Sequence, residues 1–355
     1  MKHYHINKKD SLPEGSGSFL FPGEIAAGEN TAENIMSSEQ MMKKKVFFIA
    51  DRFVTREYGA YICGGSGARY IEFSGSIDPG EFNRLKNAAK DGNVIISAGG
   101  GKCIDICKLI KRDIPEIMHI AVPTSAAACS ACSAVSVMYD RNGVYMKTLD
   151  APLPDKTVID HVFFDKLPKA FFSAGAVDTI AKYYETRAYK KFFPGRADPC
   201  AEGAFSAAEK AKEMLENIFL KEGGIKTAEK RQLAEINIVL SGIISAMSRF
   251  YPTSFIAHHL AHSFSAAANT KGFLHGELVG AALLIQEKYT GDEAAHNEIE
   301  RLLAAADMPV SLRKLGIREE DMDAVFEKFG RLCRTEKLGV SIEKNLMYNV
   351  FISKY

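Results

Sequence analysis

Apolar runs alternate with amphipathic stretches through the first part of the chain. Val46 to Ala50 (VFFIA) is a short apolar run closed by Asp51, and a helix start follows it. Residues 70–73 carry a second strand pattern, and Asp78 to Asp91 shows helical spacing. In NVIISAGGGKCIDICKLI a strand meets three glycines and then a helix, whose Ile104, Cys107, Leu109 and Ile110 recur near the helical period. MHIAVPTSAAA is again a strand running into a turn. Strands alternating with helices to about residue 150 predict a mostly parallel, doubly wound sheet.

Beyond Asp160 the pattern changes. Long helical blocks are predicted over residues 166–191, 199–221, 226–249, 255–268, 276–290, 293–305 and 318–333, with almost no strand signal among them. The fold class is therefore an α/β Rossmann-like domain with a parallel sheet over residues 1–164, then an all-α domain over residues 165–355. Residues 1–16 are polar, glycine-rich toward their end, and expected to be a flexible arm.

Composition narrows the function classes. The chain has 355 residues, enough for two domains, with 46% hydrophobic and 25% charged residues, as in a globular protein. A net charge of +1 offers no basic field for nucleic acid. No apolar run approaches a membrane span, and no secretory cleavage pattern opens the chain. Seven cysteines without framework spacing fit a reducing cytoplasm. Cys129 and Cys132 form one CxxC, but a redox or zinc role is disfavoured without a second CxxC or a thioredoxin-like context.

Two stretches carry candidate chemistry in the α/β part. Gly99, Gly100 and Gly101 let backbone approach a ligand closely, and the helix start behind them offers free N–H groups to an anion. Lys102 adds a positive charge, so a dinucleotide pyrophosphate suits the loop; a tight strand–helix turn explains the glycines equally well. Asp51 could accept from ribose hydroxyls or simply cap the next helix. Arg52 beside it leaves NAD and NADP both open.

Four of the nine histidines fall within residues 256–280. On a helix, His258 and His262 share a face while His259 points about 100° away. His275 precedes GELVGAALLIQ and sits at a helix start. Two histidines and a carboxylate leave positions open on a metal, as a catalytic site requires. The carboxylate candidate is Asp178 in AGAVDTIAKYYET, which is either a surface pair with Lys182 or, among its apolar neighbours, a buried group needing a partner.

AGGGKCIDICK (98–108), AVPTSAAACSACSAVSVMYD (121–140), AGAVDTIAKYYE (174–185) and the His-rich segment ending in FLHGELVG stand in a specific order and spacing. In these motifs the chain resembles the glycerol dehydrogenase-like branch of the iron-containing (group III) alcohol dehydrogenase superfamily, from about residue 21 to residue 317. The resemblance implies a dinucleotide domain, a helical domain and an active site between them. It implies one divalent metal, Zn2+ or Fe2+, held by Asp178, His258 and His275, with His262 nearby as an auxiliary catalytic residue. It implies NAD or NADP on Gly100, Gly101 and Lys102, with Thr124, Ser133, Val135 and Tyr139 lining the rest of the groove. A homo-oligomer is expected on the same ground.

One position departs from that pattern. Glycerol dehydrogenases carry a polyol-binding aspartate in the loop after PT, where this chain has Cys129. Losing a carboxylate weakens recognition of hydroxyls and removes a repulsion against an anionic substrate. Here the chain looks closer to hydroxycarboxylate dehydrogenase-type relatives, which also place cysteine there; drift in a non-catalytic loop is the other explanation. The expected activity is reversible hydride transfer between NAD(P) and a small molecule, either a 2-hydroxy acid/2-oxo acid pair or a polyol such as glycerol. The rivals are a glycerol-1-phosphate dehydrogenase-like or dehydroquinate synthase-like sugar-phosphate enzyme, and an inactive nucleotide- or metal-binding homologue.

Overall fold

The computed structural model describes residues 23–38, 41, 43–64, 67–194, 199–221, 224–248, 254–335, 338–340, 342–345 and 347–348. The arm expected over residues 1–16 lies outside them. Among the described residues no helix is long and apolar enough to cross a membrane. The chain divides into two compact units. One runs to Thr124 and adds Ser130–Arg141 and Met146–Phe163; the other takes Ser125–Cys129, Asn142–Tyr145 and the chain from Phe164 onward.

The first unit is built on β1 (Ile25–Gly28), β2 (Val46–Ala50), β3 (Arg69–Glu72), β4 (Val94–Gly99), β5 (Met118–Pro123), β6 (Val135–Tyr139), β7 (Tyr145–Asp150) and β8 (Lys156–Asp160). Six of these form one sheet in the order β1-β8-β5-β4-β2-β3, with every pairing parallel. β6 and β7 make a separate two-stranded sheet. The helices are α1 (Thr31–Met36), α2 (Arg52–Cys63), α3 (Pro79–Ala89), α4 (Gly101–Asp113) and the short α5 (Val162–Asp165).

Alternate strand residues serve two cores. Phe48, Ile96 and Val122 face Val54 and Ile62 of α2. Phe47, Ile49 and Ile95 face Leu85 of α3 and Ile106 and Ile110 of α4. Burial on both faces is why β2 and β4 read as unbroken apolar runs. β1 and β8 escape that test. IAAG has one large apolar residue and KTVID is short, and the two pair with each other at the sheet's edge.

The second unit is helical: α6 (Lys169–Phe192), α7 (Pro199–Phe219), α8 (Thr227–Glu235), α9 (Ser241–Met247), α10 (Ile256–Phe264), α11 (His275–Thr290), α12 (Glu293–Ala305) and α13 (Met322–Thr335). The single block predicted over 226–249 is interrupted by a π-helical turn, Ile236–Leu240, between α8 and α9. Such turns mark an accommodated extra residue, and periodicity is blind to a one-residue phase shift. α6 is buried almost all round from Phe172 to Ala188, so it forms the axis of the unit.

Candidate metal centre

Three charged residues interrupt the apolar surface of α6: Asp178, Lys182 and Glu185. Their spacing of four and then three residues puts them on one stripe of the helix. All three are buried, Asp178 and Lys182 at 4% exposure and Glu185 at 0%. Two glycines bring neighbours against this stripe. A Cβ on Gly276, next to His275 at the start of α11, would lie 1.9 Å from the Ala174 carbonyl oxygen. A Cβ on Gly175 would lie 1.9 Å from the Ala126 carbonyl oxygen. The first close approach seats α11 on α6; the second seats the loop that carries Cys129.

Asp178, His258 and His275 meet. One donor atom from each lies within 4.8 Å of the others, and this is the set suited to a metal among the described residues. Asp178 Oδ1 is 3.2 Å from His258 Nε2 and 3.5 Å from His275 Nε2. A cation about 2.1 Å from tetrahedral ligands holds those ligands about 3.4 Å apart, so the donor set fits a divalent ion. Two imidazoles and one carboxylate suit zinc or iron by donor type.

Glu185 settles which nitrogen of His258 is available. Its Oε2 pairs with His258 Nδ1, and its Oε1 accepts from the backbone N–H groups of Phe255 at 2.7 Å and His258 at 2.9 Å. The carboxylate thus fixes the start of α10, orients the imidazole and leaves Nε2 turned toward Asp178. Neighbouring charges do the rest. Burial alone would raise Asp178, but Lys182, His258 and His275 hold it well below the usual carboxylate range. Burial alone would lower His258, yet Glu185 and Asp178 raise it to about 9. Burial takes His275 down to about 4 despite Asp178. Substitution of Glu185 by glutamine is expected to weaken metal affinity by about 10- to 100-fold, read by titration of the metal-stripped protein with zinc. Unchanged affinity would remove Glu185 from the site.

The remaining histidines are placed by the same helix. His259 points away from the set, and its Nδ1 bonds to the Phe255 carbonyl oxygen of its own helix. His262 lies one turn beyond His258. Its ring stacks on Tyr145 with centroids 3.9 Å apart and stands 5.6 Å from the His275 ring. Burial, together with positive charge from the other histidines and Lys328, pushes His262 well below its usual value, so it is neutral. Cys129 is half-buried and is an electrostatic neighbour of Lys182. The loop behind it is tied by Asn237 of the π turn, whose Nδ2 donates to the carbonyls of Ala126 and Phe172 at 3.0 Å each. No cysteine is disulfide-bonded, and CSAC takes no part in a metal cluster among the described residues.

The other expected site residues lie in the first unit. Asp51, the Gly99–Lys102 turn and Thr124 follow the carboxyl ends of the adjacent strands β2, β4 and β5. α2 and α4, which leave β2 and β4, cover opposite faces of the sheet. The gap between those strand ends is therefore a topological switch point, where open α/β sheets bind ligands. Gly99 has φ +153, which favours glycine, and Gly100 opens α4. Asp51 caps α2 by accepting from the Val54 N–H at 2.9 Å. Lys102 is exposed, with its Nζ 5.4 Å from the Tyr139 ring centre. The Thr124 N–H donates to Gly99 O at 3.1 Å. Ser133 and Val135 give their carbonyls to the fully buried Lys108, which also bonds Ser130 O.

Sequence reasoning missed Glu185, Tyr145, Asn237 and Lys108. Only Glu185 had a visible signal, the charged stripe at 178, 182 and 185 on an otherwise apolar helix.

The family model described as iron-containing alcohol dehydrogenase matches residues 22–161. A glycerol dehydrogenase of Pseudomonas putida is 26% identical over 316 residues, covering 84% of this chain and 85% of that protein. Over residues 22–161 the chain is similar to the iron-containing alcohol dehydrogenase family. Within it the likeness is to the glycerol dehydrogenase-like branch, with hydroxycarboxylate dehydrogenase A of Escherichia coli (strain K12) a more distant relative, 23% identical over 72% of each chain. In fold, the chain is similar to the crystal structure of a probable glycerol dehydrogenase from Sinorhizobium meliloti 1021. The TM-score is 0.80 at 22% identity, covering 95% of this chain and 98% of that one.

Proposed function

We propose that the protein is a metal- and NAD(P)-dependent dehydrogenase that interconverts a small 2-hydroxy acid and its 2-oxo acid. The observation that carries the metal-dependent part is the Asp178–His258–His275 set, with donor separations suited to one cation. When bound, a divalent cation there supplies Lewis acidity at the substrate oxygen and a nicotinamide supplies or accepts the hydride. The protein's own groups hold and orient. Asp178, His258 and His275 fix the ion, and Glu185 fixes His258. His262, stacked on Tyr145 and 5.6 Å from the His275 ring, stands beside the set as the auxiliary residue. Asp51, Gly99, Gly100, Gly101, Lys102, Thr124, Ser133, Val135 and Tyr139 remain the proposed dinucleotide contacts, supported for the first six by their place at the strand ends.

The oxo-acid preference rests on Cys129, a thiol side chain where glycerol dehydrogenases carry a carboxylate, and on a hydroxycarboxylate dehydrogenase among the relatives. The glycerol dehydrogenase relatives support a polyol instead. Metal analysis of the purified protein, then NADH and NADPH oxidation with a panel of 2-oxo acids, dihydroxyacetone and glycolaldehyde, separates the two. The expected result is one bound ion per chain and fastest turnover with 2-oxo acids. Turnover confined to dihydroxyacetone overturns the oxo-acid assignment, and none with any carbonyl in metal-loaded protein overturns the dehydrogenase.

A further inference from the structure

Lys182 is a buried cation whose nearest acceptor, its ion-pair partner Asp178, stands outside close hydrogen-bonding distance. Its side chain is 5% exposed and its Nζ lies 3.7 Å from Asp178 Oδ2, beyond hydrogen-bonding distance. Among the described residues no other acceptor reaches it. An ammonium carries three donors, and burying a charge without hydrogen bonds is costly enough that such groups nearly always have partners. The surrounding groups do not fill the need. Asp178 turns its other oxygen to His258 and His275. Glu185 is engaged by His258 and two backbone N–H groups. Cys129, the electrostatic neighbour on the loop side, offers only a weak sulfur acceptor.

The geometry points to Lys182 as the residue that binds the substrate's carboxylate. This rests on the 2-oxo acid reading above and names the group that selects for it. A 2-oxo acid carries its carbonyl and its carboxylate on adjacent carbons, so both oxygen sets must be met within a few ångströms. Here a cation-binding donor set and an ammonium with unfilled hydrogen-bond donors stand side by side, 3.7 Å apart at their nearest atoms. The loop beside Lys182 carries Cys129 rather than a carboxylate. A hydroxymethyl group in the carboxylate's place would meet the ammonium with a dipole only, a weaker partner than a carboxylate.

The test compares metal-loaded wild type with K182M and K182R. Substrates are 2-oxobutyrate and 1-hydroxy-2-butanone, which differ by a carboxylate against a hydroxymethyl group. Binding of oxamate, an unreactive 2-oxo acid analogue, is followed in parallel by calorimetry. The expected result for K182M is a fall on the order of 100-fold in the ratio of kcat/KM for the oxo acid to that for the ketol. Oxamate binding weakens by a similar factor while the protein keeps its metal. K182R restores much of the ratio. Should K182M not fold, K182Q is read for the same ratio. An unmoved ratio, or equal loss on both substrates together with loss of metal, overturns the inference and leaves Lys182 as an ion-pair partner of Asp178. The two readings fail separately. Wild type that binds oxamate through Lys182 but reduces no oxo acid sinks the proposed reaction and keeps the site. Wild type that reduces oxo acids with a ratio indifferent to Lys182 does the opposite, and wild type that does neither sinks both.

Discussion

Replacing Asp178 with alanine is expected to empty the metal centre and to slow turnover by more than about 1,000-fold, since Lewis-acid stabilisation supplies several kcal/mol. The reason is electrostatic as much as geometric. Asp178 is the one carboxylate in the donor set, and it faces two imidazoles and the Lys182 ammonium. Without it an incoming dication meets a buried positive charge and a histidine, His258, still paired to Glu185. Elemental analysis by mass spectrometry reads the metal directly, and NAD(P)H oxidation reads the rate. A variant that keeps one ion per chain and the wild-type rate refutes the assignment of Asp178.

The second large effect is expected at a residue with no side chain. Gly276→Ala puts a methyl 1.9 Å from the Ala174 carbonyl oxygen and 2.5 Å from its carbonyl carbon. Both are backbone atoms of a buried helix, so no rotamer change relieves the clash and α11 must move off α6. Overpacking typically costs 1–3 kcal/mol, and a backbone clash this short belongs at about the upper end. The displacement falls on His275, the neighbouring residue, so metal affinity drops along with the melting temperature. Gly272 serves as the control, because a Cβ there meets nothing within 4 Å. Gly272→Ala is expected to stay within about 0.5 kcal/mol of wild type. Thermal melts with and without zinc check both, and a G276A protein with wild-type melting and metal content would remove the helix seam from the account.

Much of this arrangement is legible in the chain. Strands buried on both faces announce themselves as apolar runs, so β2, β4 and β5 are found where VFFIA, VIIS and MHIAVP predict them. β1, β8 and the β6–β7 pair owe their structure to partners far along the chain, which local pattern does not carry. Helix geometry alone puts His258 and His259 on different faces, and the structure brings His258 to Asp178. It could not say which of the two faces is inward; that depends on Glu185, 73 residues away. The surface-pair alternative for Asp178 and Lys182 is excluded by their burial. Lys108 looks in sequence like an ordinary exposed end to GKCIDICK, yet it is wholly buried under the loop it ties down.

All three donors of the candidate metal centre come from the helical unit, and Asp178 and His258 stand 80 residues apart in the chain. An ion held by them is therefore also a staple. It fastens a long loop that the unfolded chain would leave open, and closing a loop of about 100 residues by a cross-link is worth ~4–5 kcal/mol in the polymer picture. Unlike a disulfide, this fastening is set by the free concentration of the ion, so the resistance of the helical unit to unfolding varies with metal supply.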